Sequence, residues 1–122
     1  MGYPKSMNDR AYEIHEWAKK QGFWDNARLT HRDPVTGDVE CRITNPSLIP
    51  EKLALIHTEV SEAMEAHRDG NLDGKHGIAE ELADTIIRVL DLAAFLDINI
   101  EQEVANKQVK NSDRPHMHGR KC

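Results

Sequence analysis

The sequence has few aromatic residues and only two cysteines, and both shortages limit what it can form. Aromatic residues make up 5% and apolar residues 39% of the 122 positions, so we expect a thin core or a core that a second subunit completes. The cysteines, Cys41 and Cys122, fit no metal or disulfide pattern. A reducing cytoplasm is therefore the expected location.

Long apolar runs and basic clusters are also scarce. The longest apolar run, Val89 to Leu96, contains Asp91 and is far too short to span a bilayer. The N-terminus is polar from Lys5 onward, so we expect no signal peptide. The net charge is −5, and no basic stripe precedes the last fifteen residues. These absences argue against a membrane or a nucleic acid as partner.

Helical periodicity is the main pattern that is present, and capping residues divide it into four segments. The expected helices run from Ser6–Asp9 to Gly22, from Pro50–Glu51 to about Asp69, from about Ile78 to Leu96, and from a cap at Asp97 or Asn99 to about Lys110. A glycine-rich turn over residues 70–77 joins the second helix to the third. Helices with short connections predict a helical bundle.

Two segments fall outside this periodicity. Residues 25–46 are expected to form an irregular loop, with a short hairpin around Arg32 to Ile43 as one option. A loop of that length is either functional, as a lid or substrate loop, or a mobile insertion. Residues 112–122 are read as a basic tail. We therefore predict one all-α domain over residues 1–122, built as a four-helix bundle.

Acidic residues lie at unusual places on two of the predicted helices. Glu59 and Glu62 are three residues apart on the second helix, so they share one face among apolar neighbours. Glu81 and Asp84 repeat this arrangement on the third helix. Two helices joined by a short turn pack antiparallel, and both pairs lie near the turn. We therefore expect the four carboxylates to converge.

Converging carboxylates repel each other and need compensation. Two unit charges about 4 Å apart cost roughly 4 kcal/mol at an effective dielectric near 20, so a proton or a cation must accompany them. Hard oxygen ligands suit Mg²⁺ or Mn²⁺. A single pair with this spacing is usually an exposed helix pair, but two pairs on adjacent apolar faces favour a metal site.

The order E-x-x-E, eighteen residues, E-x-x-D closely resembles the MazG-like branch of the all-α nucleotide pyrophosphohydrolases. The segments EVSEAMEA and EELADTIIRVLDLA resemble the two signature helices of that family. Its K…N…RP..HG.K ending is similar to a set of residues here: Lys107, Asn111, Arg114, Pro115, His118, Gly119 and Lys121. The resemblance covers about residues 8–22 and 47–122, and residues 25–46 match nothing we can name.

The resemblance implies a fold and a reaction. The fold would be the MazG bundle, completed by assembly into a homodimer or homotetramer. The reaction would be Mg²⁺-dependent hydrolysis of (deoxy)nucleoside triphosphates to the monophosphate and pyrophosphate, which serves nucleotide-pool housecleaning. Glu59, Glu62, Glu81 and Asp84 would hold Mg²⁺, with Mn²⁺ as a substitute, and one of these acids could serve as general base in the attack of water on the α-phosphorus.

The resemblance also implies substrate contacts, each with a simpler alternative. Lys107, Asn111 and Arg114 would bind phosphates, or they form a solvated basic helix end. His15 and Trp24 would contact the nucleobase, or they are a surface histidine and a core aromatic. Arg88 lies between Glu81 and Asp84 in helical projection, as a salt-bridge partner or a phosphate contact.

Other functions compete with this interpretation. The segment Asp69–Glu80 satisfies the EF-hand calcium-loop pattern, which would make the chain a calcium-binding module and leave Glu59, Glu62 and Asp84 without a role. A non-catalytic nucleotide-binding helical dimer would keep the fold without the reaction. His116 and His118 offer a transition-metal pair in the tail.

Overall fold

Four α-helices and one two-stranded hairpin make up the part of the chain that the computed structural model describes, which is residues 5–27, 29–42 and 45–115. The helices are α1 (Met7–Lys20), α2 (Leu48–Arg68), α3 (Ile78–Phe95) and α4 (Ile100–Ser112). The predicted all-α fold class is confirmed, as a small helical bundle. Beyond residue 115, the predicted basic tail with His116 and His118 lies outside the described residues.

Side-chain caps place the ends of two helices where the sequence predicts them. Ser6 Oγ accepts from the backbone N–H of Asp9, and the Asp9 carboxylate accepts from the backbone N–H of Ser6, a reciprocal capping box. Asn99 caps α4 by accepting from the backbone N–H of Gln102. α2 begins at Leu48, before the predicted start at Pro50, because a proline within the first turn lacks only an N–H that has no helical acceptor there.

The third helix is the centre of the bundle. α3 packs against both α1 and α2, whereas α4 packs mainly against α1. The buried core between them is small, and its members are Ala18, Trp24, Ala27, Leu48 and Leu92, with Ile49, Ile56 and Phe95 partly buried around it. Among the described residues, this cluster has three large buried side chains, Trp24, Leu48 and Leu92.

The connection between α1 and α2 is more regular than the sequence predicts. A single 3₁₀ turn at Asp25–Ala27 is followed by the strands β1 (Leu29–Arg32) and β2 (Val39–Arg42), which pair antiparallel with Leu29 opposite Arg42 and Arg32 opposite Val39. The prediction of an irregular loop is wrong for these strands, and the hairpin option is confirmed, three residues earlier than expected. Four-residue strands are too short to show a period.

The turn of this hairpin is held by one aspartate. Asp33 Oδ1 accepts from the backbone N–H groups of Val35 and Thr36, at 2.7 and 3.2 Å. These two amides hold the pKa of Asp33 below its usual range. Gly37 adopts a left-handed conformation, with φ of 78°, and completes the turn.

Apolar side chains remain exposed on one side of α2 and α3. They are Leu53, Val60 and Met64 on α2 and Leu82 and Ile86 on α3, each about half exposed. At 3.6 residues per turn, both sets lie roughly 100–140° from the first glutamate of their helix. Because α2 and α3 run antiparallel, these equal offsets fall on the same side of the pair. We call these five residues the α2–α3 apolar face.

Within the described residues, every helix is too short or too polar to cross a membrane. The longest, α2, carries charged residues along its length, among them Glu51, Lys52, Glu59 and Glu62. The sequence-based expectation that no membrane-spanning helix is present is thereby confirmed for this part of the chain.

Candidate metal centre and the adjoining pocket

Three acidic side chains from α2 and α3 meet between the two helices. Glu59, Glu62 and Glu81 each place a carboxylate oxygen within 4.8 Å of the others. Glu59 is 7% and Glu81 3% exposed, whereas Glu62 is exposed. The spacing of three residues on each helix thus brings together three of the four carboxylates that the sequence predicts to converge. We call them the carboxylate cluster.

The fourth predicted acid, Asp84, lies outside this cluster. It sits one turn after Glu81 on α3, is exposed, and lines a pocket together with Glu59. The first acid of each pair is thus buried, and the second faces solvent because it lies toward the edge of its helix face. Asp84 is therefore close to the cluster without belonging to it.

Glu81 is the least compensated member of the cluster. Burial, together with the neighbouring carboxylates of Glu62 and Glu59, raises the pKa of Glu81 to about 7. Its Oε2 atom is buried and has no hydrogen-bond partner in the described part of the chain. An unpartnered buried carboxylate oxygen is costly, so this position calls for a proton or a cation.

One arginine partly neutralises the cluster. Arg88 Nε donates to Glu59 Oε1 at 2.7 Å. Burial acts to raise the pKa of Glu59, but the hydrogen bond and charge of Arg88, together with hydrogen bonds to the side chains of Glu81 and Glu62, hold that pKa below its usual range. Of the two roles considered for Arg88 from sequence, the salt-bridge partner is the one that the structure contains.

A pocket of about 220 Å³ opens beside the cluster, on the side of Glu59 and Asp84. Its walls come from α1, α3 and the residues after α1, and comprise Ile14, Trp17, Ala18, Phe23, Ile87, Arg88 and Asp91 besides the two acids. Trp17 and Phe23 meet edge to face, with ring centroids 5.6 Å apart, and both are about half exposed. The pocket therefore combines aromatic walls with a few charged groups, which is typical of small-molecule sites.

Asp91 links this pocket to two residues predicted from sequence. His15 Nδ1 lies 2.7 Å from Asp91 Oδ1, and Trp24 Nε1 donates to both carboxylate oxygens, at 3.0 and 3.1 Å. His15 and Trp24 are buried and do not line the pocket themselves. Their hydrogen bonds hold the carboxylate of Asp91 in place at the pocket wall.

Trp24 has no free ring face for the predicted stacking of a nucleobase. Phe95 stacks on it with centroids 4.3 Å apart and an interplanar angle of 20°. The ammonium group of Lys52 lies 4.4 Å from the ring centroid, and Trp24 as a whole is only 6% exposed. Trp24 is therefore a core aromatic residue, the second of the two roles considered for it from sequence.

Asp91 was not predicted as a site residue, although the sequence contains a signal for it. It is the only charged residue in the longest apolar run, Val89 to Leu96. A charged residue inside such a run is buried only with partners, and His15 and Trp24 are those partners. No comparable feature of the sequence predicts the positions of Trp17, Phe23 and Lys52 at or near the pocket. Their contacts depend on how the segment after α1 folds back.

The three predicted phosphate contacts lie elsewhere in the chain. Lys107, Asn111 and Arg114 are exposed on or just after α4, which packs mainly against α1. None of them lines the pocket, and none lines the second cleft of the cluster, which Glu62 and Glu81 border near the α2–α3 turn. The structure of one chain therefore does not bring them to the carboxylates.

The segment that matches the calcium-loop pattern uses two of its prospective ligands internally. Asn71 Oδ1 accepts from the backbone N–H of Gly74 at 2.9 Å, and Asn71 Nδ2 donates to the carbonyl of Lys75. Glu80 Oε2 accepts from the backbone N–H of His76 at 2.6 Å. Two of the side chains that the calcium-loop pattern requires are therefore engaged in holding the connection between α2 and α3.

No protein-family model, curated protein or solved structure matches the chain. Three close carboxylates, one of them unpartnered and buried, fit a divalent cation. An aromatic pocket beside them fits a ligand that has an aromatic ring at one end and groups able to share the cation at the other.

Proposed function

We propose that the chain is a MazG-like nucleoside triphosphate pyrophosphohydrolase, which uses Mg²⁺ to hydrolyse (deoxy)nucleoside triphosphates to the monophosphate and pyrophosphate. The observation that carries this proposal is the convergence of Glu59, Glu62 and Glu81 with the buried, unpartnered Oε2 of Glu81. The biological role would be housecleaning of the cytoplasmic nucleotide pool.

The charge balance of the cluster supports a divalent cation. Three carboxylates face one arginine, and the raised pKa of Glu81 means that a proton supplies part of the missing positive charge near neutral pH. The all-oxygen donor set suits Mg²⁺, or Mn²⁺ in its place, and Mg²⁺ commonly shares its coordination between a few carboxylates and substrate phosphates. When bound, the metal would neutralise phosphate charge and lower the pKa of a bound water.

The pocket supports a nucleotide as the substrate. A base packed against the exposed edges of Trp17 and Phe23 would have its sugar and phosphates at Glu59 and Asp84, the two acids at the pocket wall. Asp84 faces this pocket, so we assign it as the fourth acid of the site, which acts together with the substrate. The chain would thereby hold the α-phosphate beside the carboxylates, and positioning is the largest protein contribution in phosphoryl transfer.

The distance of α4 from the cluster supports an oligomer. The α2–α3 apolar face exposes five large apolar side chains, and such patches usually mark interfaces. We propose a homodimer or homotetramer built on this face. Lys107, Asn111 and Arg114, which do not reach the cluster of their own chain, would then contact phosphates bound to another protomer.

Pyrophosphate release from a panel of ribo- and deoxyribonucleoside triphosphates tests the proposal. We expect release with Mg²⁺ and none with chelator. Glu81→Gln should reduce kcat by at least about a hundredfold, since it removes a charged ligand without changing side-chain size. Glu103→Gln, an exposed acid on α4, is the matched control and should leave the rate unchanged.

The same experiment separates the alternatives. Turnover of no nucleotide, together with tight Ca²⁺ binding that Glu80→Gln abolishes, would favour the calcium-binding module. Nucleotide binding without pyrophosphate release, at all Mg²⁺ concentrations, would favour a non-catalytic nucleotide-binding dimer. Either result would overturn the proposed hydrolase.

A further inference from the structure

Asp91 is a part-buried carboxylate that the proposed reaction does not use. Its side chain is 15% exposed, and it lines the 220 Å³ pocket at some distance along α3 from the metal-binding acids, two helical turns beyond Asp84. Apart from Arg88, the pocket wall near it is apolar, from Ile14, Ala18 and Ile87. A charged group placed in such a wall fixes how a ligand is oriented.

The position of Asp91 is rigidly determined. Among the described residues, its Oδ1 atom lies within hydrogen-bond distance of both His15 Nδ1 and Trp24 Nε1, at 2.7 and 3.0 Å, and its Oδ2 atom lies 3.1 Å from the same indole N–H. The ring of Trp24 is itself in contact with Phe95 and Lys52. A carboxylate has about four acceptor sites, and these contacts use at most three of them, so the carboxylate at the pocket wall retains acceptor capacity for a ligand.

We propose that Asp91 makes the site selective for nucleobases that carry an exocyclic amino group, so that cytosine is preferred over uracil. This inference rests on the proposed function, because it assumes that the pocket binds the base of a nucleotide. An ionised carboxylate only accepts hydrogen bonds. The amino group of cytosine donates, whereas uracil and thymine present a carbonyl oxygen at the same ring position.

The penalty for the wrong base comes from desolvation. A uracil that presented its carbonyl oxygen at this position would bring an acceptor to the carboxylate of Asp91, so that neither oxygen gains a donor. Sites built to hydrogen-bond one substrate group reject the analogue that lacks it far more strongly than apolar sites do. Arg88 is the nearby donor in the same wall, but its Nε is held by Glu59, toward the metal-binding acids.

The size of the pocket agrees with base recognition. Its volume of about 220 Å³ is below the roughly 300–1,000 Å³ that encloses a whole drug-sized ligand. It therefore encloses one part of a nucleotide, and the aromatic rims of Trp17 and Phe23 suit the ring. The sugar and phosphates would remain outside, at the carboxylate cluster.

The test compares kcat/KM for CTP and UTP, which differ at the ring position that Asp91 reads. We expect the wild type to prefer CTP by at least about tenfold. Asp91→Asn keeps the side-chain shape but presents an amide that can donate, so the CTP-to-UTP ratio should fall to about one or invert. Asp73→Asn, an exposed aspartate in the α2–α3 turn, should leave the ratio unchanged.

If Asp91→Asn does not fold, a binding measurement on the wild type still tests the proposed selectivity. Calorimetric binding of CMP and UMP to the wild type needs no hydrolysis, and CMP should bind at least about tenfold more tightly. Equal affinities, or equal kcat/KM for CTP and UTP, would overturn the selectivity of Asp91 while the proposed hydrolase stands. Absence of turnover for every nucleotide would overturn the hydrolase, and a preference for CMP would then still support Asp91.

Discussion

Arg88 on α3 donates a hydrogen bond of 2.7 Å to Glu59 on α2, and so joins the two helices at the carboxylate cluster. The bond occupies one oxygen of a proposed metal ligand. A cation entering the cluster must therefore compete with the guanidinium for Glu59, and it also meets the positive charge of Arg88.

Removal of this arginine should strengthen metal binding. For Arg88→Gln we expect the Mn²⁺ affinity at pH 8 to rise about three- to tenfold, because the interaction free energy of a partly screened charge pair is modest. The measurement is an electron paramagnetic resonance titration of free Mn²⁺, at a pH above the pKa of about 7 for Glu81. Arg68→Gln, which breaks an exposed pair with Glu65, is the control. Weaker Mn²⁺ binding in Arg88→Gln would show that the arginine supports the metal site instead of competing for it.

The metal-free protein should lose stability as pH rises toward 8. The pKa of Glu81 is raised from an ordinary 4.5 to about 7 in the folded state, so between these values the folded chain keeps a proton that the unfolded chain has released. Stability then falls with rising pH and levels off above about 7. Glu81→Gln resembles the protonated side chain, so its Tm should match the wild type at pH 5 and exceed it at pH 8.

Added Mg²⁺ should reverse this order at pH 8, since only the wild type keeps the full ligand set. Differential scanning calorimetry of both proteins, with chelator and with Mg²⁺, checks the two expectations. A wild type that is as stable as Glu81→Gln at pH 8 with chelator would contradict the raised pKa.

Gly77 should not tolerate a side chain. A Cβ atom there would lie within 3.0 Å of the Asn71 Oδ1 atom and of the carbonyl oxygens of Gly74 and Leu72. We therefore expect Gly77→Ala to lower the free energy of unfolding by about 1–3 kcal/mol, the usual cost of overpacking. Urea denaturation checks this. A loss within about 0.5 kcal/mol, the range of ordinary surface substitutions, would mean that the turn adapts easily.

The α2–α3 apolar face should hold protomers together. We expect the wild type to have two or four times the chain mass of 13.9 kDa in solution, and Ile86→Glu to shift it toward the monomer, because a charge buried at an apolar interface is costly. Light scattering coupled to size-exclusion chromatography gives the masses. Val109→Glu, at an exposed apolar residue of α4, is the matched control. A wild type that is monomeric in solution would contradict the proposal that this face joins protomers.

Local rules predicted the helices and the acid pairs. Caps such as Ser6 and Asn99 act over three residues, so the sequence alone places those helix starts. The spacing of Glu59 from Glu62 and of Glu81 from Asp84 likewise defines helix faces. The burial of Glu81, the exposure of Asp84 and the hairpin at residues 29–42 depend on how the elements pack, which local spacing does not contain.

The contacts of the pocket were beyond prediction for the same reason. Asp91 meets Trp24 only because the segment after α1 folds back onto α3, and Lys52 reaches Trp24 from α2. His15 was predicted as a base contact, yet in the structure it holds Asp91. Its sequence position alone does not distinguish these roles.

Product analysis after turnover in water labelled with heavy oxygen tests the central claim most directly. The chain, Mg²⁺ and CTP are incubated in labelled water, and both products are examined by mass spectrometry. We predict that the label appears in the nucleoside monophosphate while the pyrophosphate stays unlabelled, because water attacks the α-phosphorus. Label in inorganic phosphate, or no product with any nucleoside triphosphate, would contradict the account.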